Sequence, residues 1–381
     1  MDSLNLSGLR SYLPKSLPRL PSWPQVPSDD DEPGPSSSAN PSSTSEPTFN
    51  EKHASMSLED PSPIPRGPKS YLDLVNECDN FPYYHTNPKL YLSHVNTYFA
   101  LHIAKYPEVE LGYLLPSVVE AFRGLPDWSI NELDRTLTLL AGETETERSQ
   151  AMALTTQAMR ETGFFQILKG WRNELYPVYG PNRELLFSIE RAASALFGVV
   201  TYGCHMTAYT KSEDRGLRIW VPRRAVTKQT YGGMLDNTVA GGIATGESVL
   251  GSMVREAGEE ASLPEEMVRE KAKAVGTVTY FHVRDRRAGG ETGLLQPECQ
   301  YVYDLELEED IVPKPSDDEV ESFELESVEE VKKDLRDGSF KPNCAVVLLD
   351  FFVRHGIITT DDEDYVELVA RLHRRLEFPT Q

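Results

Sequence analysis

Six residues between positions 241 and 260 constrain this chain more than any other feature. Gly241, Glu247, Arg255, Glu256, Glu259 and Glu260 are spaced as Gly-x5-Glu-x7-Arg-Glu-x2-Glu-Glu. The apolar spacing predicts a helix over 249–261. At helical pitch Glu256, Glu259 and Glu260 fall within about 100° of one another. Leu250, Met253, Val254, Ala257 and Ala261 gather on a different, apolar face. One face therefore packs and another presents three carboxylates. Carboxylates so gathered raise each other's pKa unless a cation sits among them. Mg2+ and Mn2+ take hard oxygen ligands and also bind phosphate oxygens. The pattern therefore points to a metal site that polarises a phosphoryl group and activates water. The competing reading is a solvated charged helix face. Spacing decides between them, because six fixed residue types coincide by chance on the order of 10⁻⁷ to 10⁻⁸ per starting position. Gly251 and Gly258 inside the helix also cost about 1 kcal/mol each, which a purely structural helix avoids by using Ala. Gly241 and Gly242 are expected to let backbone N–H groups approach a phosphate.

The rest of the chain divides by composition. Residues 1–69 hold thirteen of the 27 prolines, with an acidic patch at 29–32 and a serine run at 36–38. Such a segment buries too little apolar surface to offset the entropy of ordering, and it is expected to be a disordered tail. Arg10, Lys15 and Arg19 among Ser and Leu give it a faint organelle-targeting texture, but Pro14, Pro18, Pro21 and Pro24 oppose the amphipathic helix such peptides form. The expected compartment is the cytoplasm. Residues 70–197 read as a smaller, mainly helical α+β domain, with helices expected over 90–104, 115–122, 127–140 and 148–162. Residues 198–376 read as an α/β/α sandwich around a mixed sheet. Strands are expected at 197–210, 217–221, 236–240, 275–283, 299–307 and 320–325. The net charge of −22 excludes non-specific nucleic-acid or anionic-membrane binding, and no apolar run is long enough for a membrane span. The four scattered cysteines form no CxxC pair and suit a reducing compartment.

The segment 241–263 resembles the Nudix box. One departure is Ser262, where the family's pattern has a Gly that serves the turn after the helix. The resemblance assigns Glu259 and Glu260 to the metal and Glu256 to metal or base duty. It has Arg255 pair with Glu247 to brace the loop. The likeness extends through GWRNELYPVY (170–179), SIERAASALFGVVTYGCH (188–205), TYGGMLDNTVAGG (230–242), VYDLEL (302–307) and FKPNCAVVLLDFFVRHG (340–356). These stretches resemble the two-domain Nudix hydrolases of fungi and plants that are similar to the N-terminal half of a fission-yeast thiamine pyrophosphokinase. That resemblance implies a Mg2+- or Mn2+-dependent hydrolase that removes the terminal phosphate of oxidised thiamine diphosphate and leaves the monophosphate.

Other candidates are less specific. Glu319 precedes a strand where Nudix enzymes often place a further acid, and it is a candidate base or ligand; an exposed acidic turn is the plain alternative. Arg223, Arg224 and Lys228 could hold a diphosphate or form a solvated basic loop. Trp171, Tyr176 and His205 could stack on or hydrogen-bond a flat heterocycle, though such residues more often serve packing. Two rival functions remain open at this point. One is a Nudix pyrophosphatase of ADP-ribose or a dinucleoside polyphosphate, faintly suggested by Tyr280. The other is a non-catalytic ligand-sensing Nudix module, against which the intact carboxylate set argues. The partner in either enzyme reading is a small diphosphate.

Overall fold

The computed structural model describes residues 67–228, 230–316 and 318–381. The tail as far as residue 66, with its targeting-like pattern, lies outside them. The first helix, α1 (Tyr71–Cys78), starts under Ser70, whose hydroxyl accepts from the Asp73 N–H while the Asp73 carboxylate accepts from the Ser70 N–H. Next comes α2 (Pro88–Val95), capped by Asn87 and opened by Pro88. The helix expected to run to 104 ends here, and Phe99–Ile103 is instead strand β1. It pairs antiparallel with β2 (Gly112–Leu114), which leads into α3 (Pro116–Val119).

A second difference follows. The segment 127–140, expected as helix, is a hairpin of β3 (Trp128–Asn131) and β4 (Thr136–Leu139). Its turn is built by the Asn131 side chain, which accepts from the Leu133 and Asp134 N–H groups at 3.0 and 3.1 Å, and by Arg135 at a φ of 51°. Thr136 and Thr138 then favour strand. The sheet order is β2-β1-β4-β3, with β1 and β4 parallel. The region is α+β, with more strand than the apolar spacing indicated. It continues through α4 (Glu145–Thr162), the hairpin β5 (Leu175–Tyr179) and β6 (Leu185–Glu190), and the short α5 (Ser194–Phe197). Leu101, Leu137, Met152, Phe187 and Phe197 anchor its core.

The second layer system follows the sequence expectation closely. It comprises β7 (Thr201–Ser212), β8 (Gly216–Arg224), β9 (Val239–Gly242), α6 (Val249–Ala261), α7 (Glu265–Lys271), β10 (Lys273–Val283), β11 (Leu295–Glu306) and β12 (Val320–Ser327). Three helices close it: α8 (Val328–Arg336), α9 (Pro342–Arg354) and α10 (Tyr365–Leu372). The mixed sheet runs β10-β11-β7-β8-β12, with β11 parallel to β7 and β9 added on β7. Strand alternation splits β7 between two cores. Tyr202, Cys204 and Met206 meet Met253 and Ala257 of α6. Tyr209 meets Phe351 of α9 on the other face, together with Leu74 and Val75 of α1. Thus α1, which precedes the first sheet in sequence, packs on the helical layer of the second. Phe351 and Phe352 are wholly buried, and burial of each stabilises the fold by about 1.5–3 kcal/mol. Along β7, residues 203–206 pair with β9 and residues 209–212 pair with β8. The chain between those partners passes the buried polar pair Asp236 and Asn237, beside which the candidate site forms.

Candidate active site

Helix α6 begins under Ser248, whose hydroxyl accepts from the Gly251 N–H at 3.1 Å, just after Gly246 at a φ of 88°. It ends at Ser262, which takes the left-handed conformation a glycine favours (φ 54°) at a cost of about 1–2 kcal/mol and donates its hydroxyl to the Lys314 carbonyl. The Arg255 guanidinium is the hub of the box. It donates to both Glu247 oxygens at 3.0 and 3.1 Å, and to Glu256 and Glu259 at 2.9 Å each. Burial raises the Glu247 carboxyl, but the hydrogen bonds from Arg255 and Ser252 outweigh it and hold the group below its ordinary range. Glu256 and Glu260 go the other way. Burial pushes both up; Glu259 adds to the rise at Glu256, and the charges of Glu256 and Asp236 add to it at Glu260. The Glu260 carboxylate accepts from the Ala240 N–H at 3.0 Å. A methyl group on Gly241 would stand 2.1 Å from the Glu256 carboxyl carbon, and one on Gly242 would stand 1.9 Å from the Tyr176 hydroxyl. The missing side chains of β9 thus make room for Glu256 and Tyr176. The loop before α6 is also tied to the first domain, through the Thr245 N–H and the Leu175 carbonyl at 2.8 Å.

A cavity of about 740 Å³ opens beside the box. Of the residues singled out in sequence, the three box carboxylates, Arg255, both glycines, Tyr176, His205, Arg224, Lys228 and Glu319 line it. Trp171, Arg223 and Glu247 do not. The Trp171 indole donates to Asn173 and lies under the Arg160 guanidinium at 4.7 Å. Arg223 donates to the Gly233 carbonyl. Arg224 is engaged by Asp236 and by the Thr230 and Tyr231 carbonyls, and Lys228 by Glu319. Burial raises the Glu319 carboxyl, yet the hydrogen bond and charge of Lys228, with Arg172, bring it below the usual carboxylate value.

One wall, apart from Tyr280, escaped the sequence reading. Gln296, Glu298 and Gln300 alternate along β11, and Tyr280 and His282 stand opposite on β10. The Tyr280 hydroxyl and the Gln300 amide both donate to Glu298 at 2.7 Å. That fixes the amide orientation, and Gln300 Oε1 is left buried without a partner among the described residues. It fits only because Gly203 has no side chain there, since a Cβ would stand 2.1 Å from it. His282 is buried with both ring nitrogens unpartnered among the described residues, and burial lowers its pKa to about 4. The period-two polar pattern in QPECQ was the available signal. His205 is oriented by its surroundings. Asn237 donates its amide to the Cys344 carbonyl at 3.3 Å, so its Oδ1 accepts from His205 Nδ1–H at 2.7 Å. Nε2 is left as an acceptor. Burial, then the charge of Lys341, lowers this histidine to about 4.

Residues 93–201 match a domain of unknown function (DUF4743), and residues 207–344 match the NUDIX domain. The "Uncharacterized protein YJR142W" of Saccharomyces cerevisiae is 44% identical over 219 residues, 56% of this chain and 64% of that protein. "Nudix hydrolase 20, chloroplastic" of Arabidopsis thaliana is 39% identical, over 63% of this chain and 61% of that one. "Nudix hydrolase 24, chloroplastic" of the same plant is 38% identical, over 62% of each. The matched segments thus span less than two thirds of these relatives. The chain carries two domains, the second of them a NUDIX domain.

Proposed function

We propose that the chain is a metal-dependent Nudix hydrolase that takes the terminal phosphate from oxidised thiamine diphosphate. The observation that carries the reading is one continuous space, walled on one side by the box carboxylates and on another by polar strand residues and Tyr176 of the preceding domain. The sequence stretches shared with the thiamine-related Nudix subfamily supply the substrate.

Among the described residues no three His, Cys, Asp or Glu side chains converge as a ligand set, and Arg255 holds the Glu259 carboxylate. The donor chemistry nevertheless fits Mg2+ or Mn2+. Glu256, Glu259 and Glu260 are hard oxygen donors on one helix face, and the first and last are destabilised as anions by burial and by each other, a penalty that a divalent cation relieves. When bound, such an ion polarises phosphoryl oxygens and lowers the pKa of water.

The chain's own residues supply the rest. Arg255 keeps Glu247 and α6 in register. Lys228 and Arg224 face the diphosphate end. Glu319, held ionised by Lys228, accepts the proton of the attacking water. The water oxygen forms a bond to the terminal phosphorus and the anhydride P–O bond breaks, giving inorganic phosphate and the monophosphate. The four buried free thiols suit the cytoplasm.

The test is turnover in Mg2+ or Mn2+, read as inorganic phosphate from thiamine diphosphate and its oxo and oxy derivatives, and as the two cleavage fragments from ADP-ribose, NADH, coenzyme A and diadenosine polyphosphates. We expect the highest kcat/KM on the oxidised thiamine diphosphates. Faster turnover of ADP-ribose or a dinucleotide would sink the thiamine assignment. No turnover of any compound would favour a sensing module.

A further inference from the structure

Most cations facing the cavity are already occupied. Arg255 is held by three glutamates, Arg224 by Asp236, Lys228 by Glu319 and Arg191 by Glu174. Arg284 donates to the Ala288 and Gly289 carbonyls. Lys341 differs. Its backbone is fixed, since its N–H donates to the Leu235 carbonyl at 2.9 Å and Pro342 follows as the first residue of α9. Its side chain is half-buried and lines the cavity, and its ammonium has no hydrogen bond or ion pair among the described residues. Lys169 also lacks such partners among those residues, but it is exposed to solvent.

The surroundings place the Lys341 charge. It is among the charges that hold Asp236 down, lower His205 and oppose the rise of Glu298. The charge that opposes the rise at Glu260 is that of Lys228. Lys341 therefore stands where the Asp236 carboxylate meets the wall of His205 and Glu298. Glu298 does not neutralise it by contact, because its carboxylate is taken up by Tyr280 and Gln300.

We propose that Lys341 reads the charge of the substrate's ring, admitting a neutral, carbonyl-bearing heterocycle and turning away a cationic one. The inference rests on the reading that the substrate is a ring-bearing diphosphate of the thiamine type. An ammonium without an acceptor gains a charge-assisted hydrogen bond from a ring carbonyl. The same ammonium repels a ring cation. At separations of about 6–8 Å and an effective dielectric of about 20, that repulsion is worth on the order of tenfold to a hundredfold in affinity. Intact thiamine carries a cationic thiazolium, and its oxo form a neutral thiazolone with a carbonyl, so one lysine separates these two while the shared diphosphate does not; the oxy form keeps the thiazolium and differs from thiamine in the pyrimidine ring, so its preference is set by other contacts.

The test compares kcat/KM on oxothiamine diphosphate and thiamine diphosphate for wild type, Lys341→Met and Lys341→Arg. Wild type should prefer the oxo form. Lys341→Met should narrow that preference about tenfold or more, gaining on the cationic substrate as it loses on the neutral one, and Lys341→Arg should retain it. Equal losses on both substrates in Lys341→Met would make the lysine a phosphate ligand and overturn the inference, with the hydrolase reading intact. If wild type turns over neither compound, the thiamine reading fails on its own. The charge rule is then decided on NAD+ and NADH, a cationic and a neutral ring on one diphosphate, measured by calorimetric binding. A shift of the ratio towards NAD+ in Lys341→Met supports it, and an unchanged ratio overturns it.

Discussion

At the scale of single residues, the box carboxylates differ more than their spacing suggests. Glu260 is half-buried at the cavity wall, and burial and the Glu256 charge disfavour its ionised form. Glu259 is exposed and bonded to Arg255. Replacing either with Gln keeps its shape and removes one negative donor. We expect each variant to lose at least about a hundredfold in kcat, the scale on which positioned electrostatic groups act. The metal-free stabilities should separate them. Glu260→Gln removes a buried charge penalty and should melt at or above the wild-type temperature, whereas Glu259→Gln should change little, as exposed ion pairs contribute about 0–1 kcal/mol. Steady-state turnover and melting in chelator check both. Near wild-type kcat in either variant removes that residue from the mechanism.

At the scale of elements, legibility followed chain texture. The helix α6 was readable because two patterns, apolar and acidic, coincide on it at helical spacing. Strands β7, β8, β10 and β11 were readable from their β-branched and aromatic residues. Strand β1 was not, because LYLSHVNTYFALHIA supplies apolar residues at both periods and Asn96–Thr97 divides it without a proline or glycine. The hairpin of β3 and β4 hid its turn in a hydrogen bond accepted by the Asn131 side chain rather than in an Asn-Gly pair. Apart from Tyr280, the cavity wall on β10 and β11 was missed for a related reason: alternating polar residues read as a solvent face until the structure puts them beside a cavity. That wall carries a pH prediction. Burial holds His282 neutral, with a pKa near 4, opposed by the charge of Asp285 and helped by those of Arg284 and Arg287. The unfolded chain takes up the proton at about 6.5. The folded state therefore has its full stability above about pH 6.5 and loses it as the pH falls towards 4, by up to about 3 kcal/mol from this residue. Urea midpoints at pH 7.5 and 5 should diverge more for wild type than for His282→Gln. Parallel losses would remove His282 as a source of acid lability.

At the scale of the whole molecule, the ends of the described chain are locked together. Asp79, directly after α1, and Arg374, after α10, are 295 positions apart and joined at 3.0 Å. Arg374 also donates to the Phe81 and Pro82 carbonyls and lies over the Tyr83 ring at 4.1 Å, while the Asp79 carboxylate accepts from the Phe281 N–H. Asp79 is 1% exposed and Arg374 2%. The consequence reaches the cavity, since α1 supplies Cys78 to its wall and the packing of α1 on α9 holds the helix that presents Lys341. Breaking one half of a buried, hydrogen-bonded pair strands the other charge and typically costs about 3–5 kcal/mol. Asp79→Asn should destabilise on that scale, and Arg374→Met by less, because Arg371 stays 3.6 Å from the Asp79 carboxylate. The double variant should lose less than the sum of the two, because neither charge is then left alone. Near-additive losses in urea unfolding would mean that Arg374 acts through its carbonyl and aromatic contacts, independently of Asp79. If the clasp also sets the position of the Lys341 wall, the single variants should raise KM before kcat falls at temperatures where they remain folded, because the box carboxylates sit on α6 across the sheet, outside the clasp.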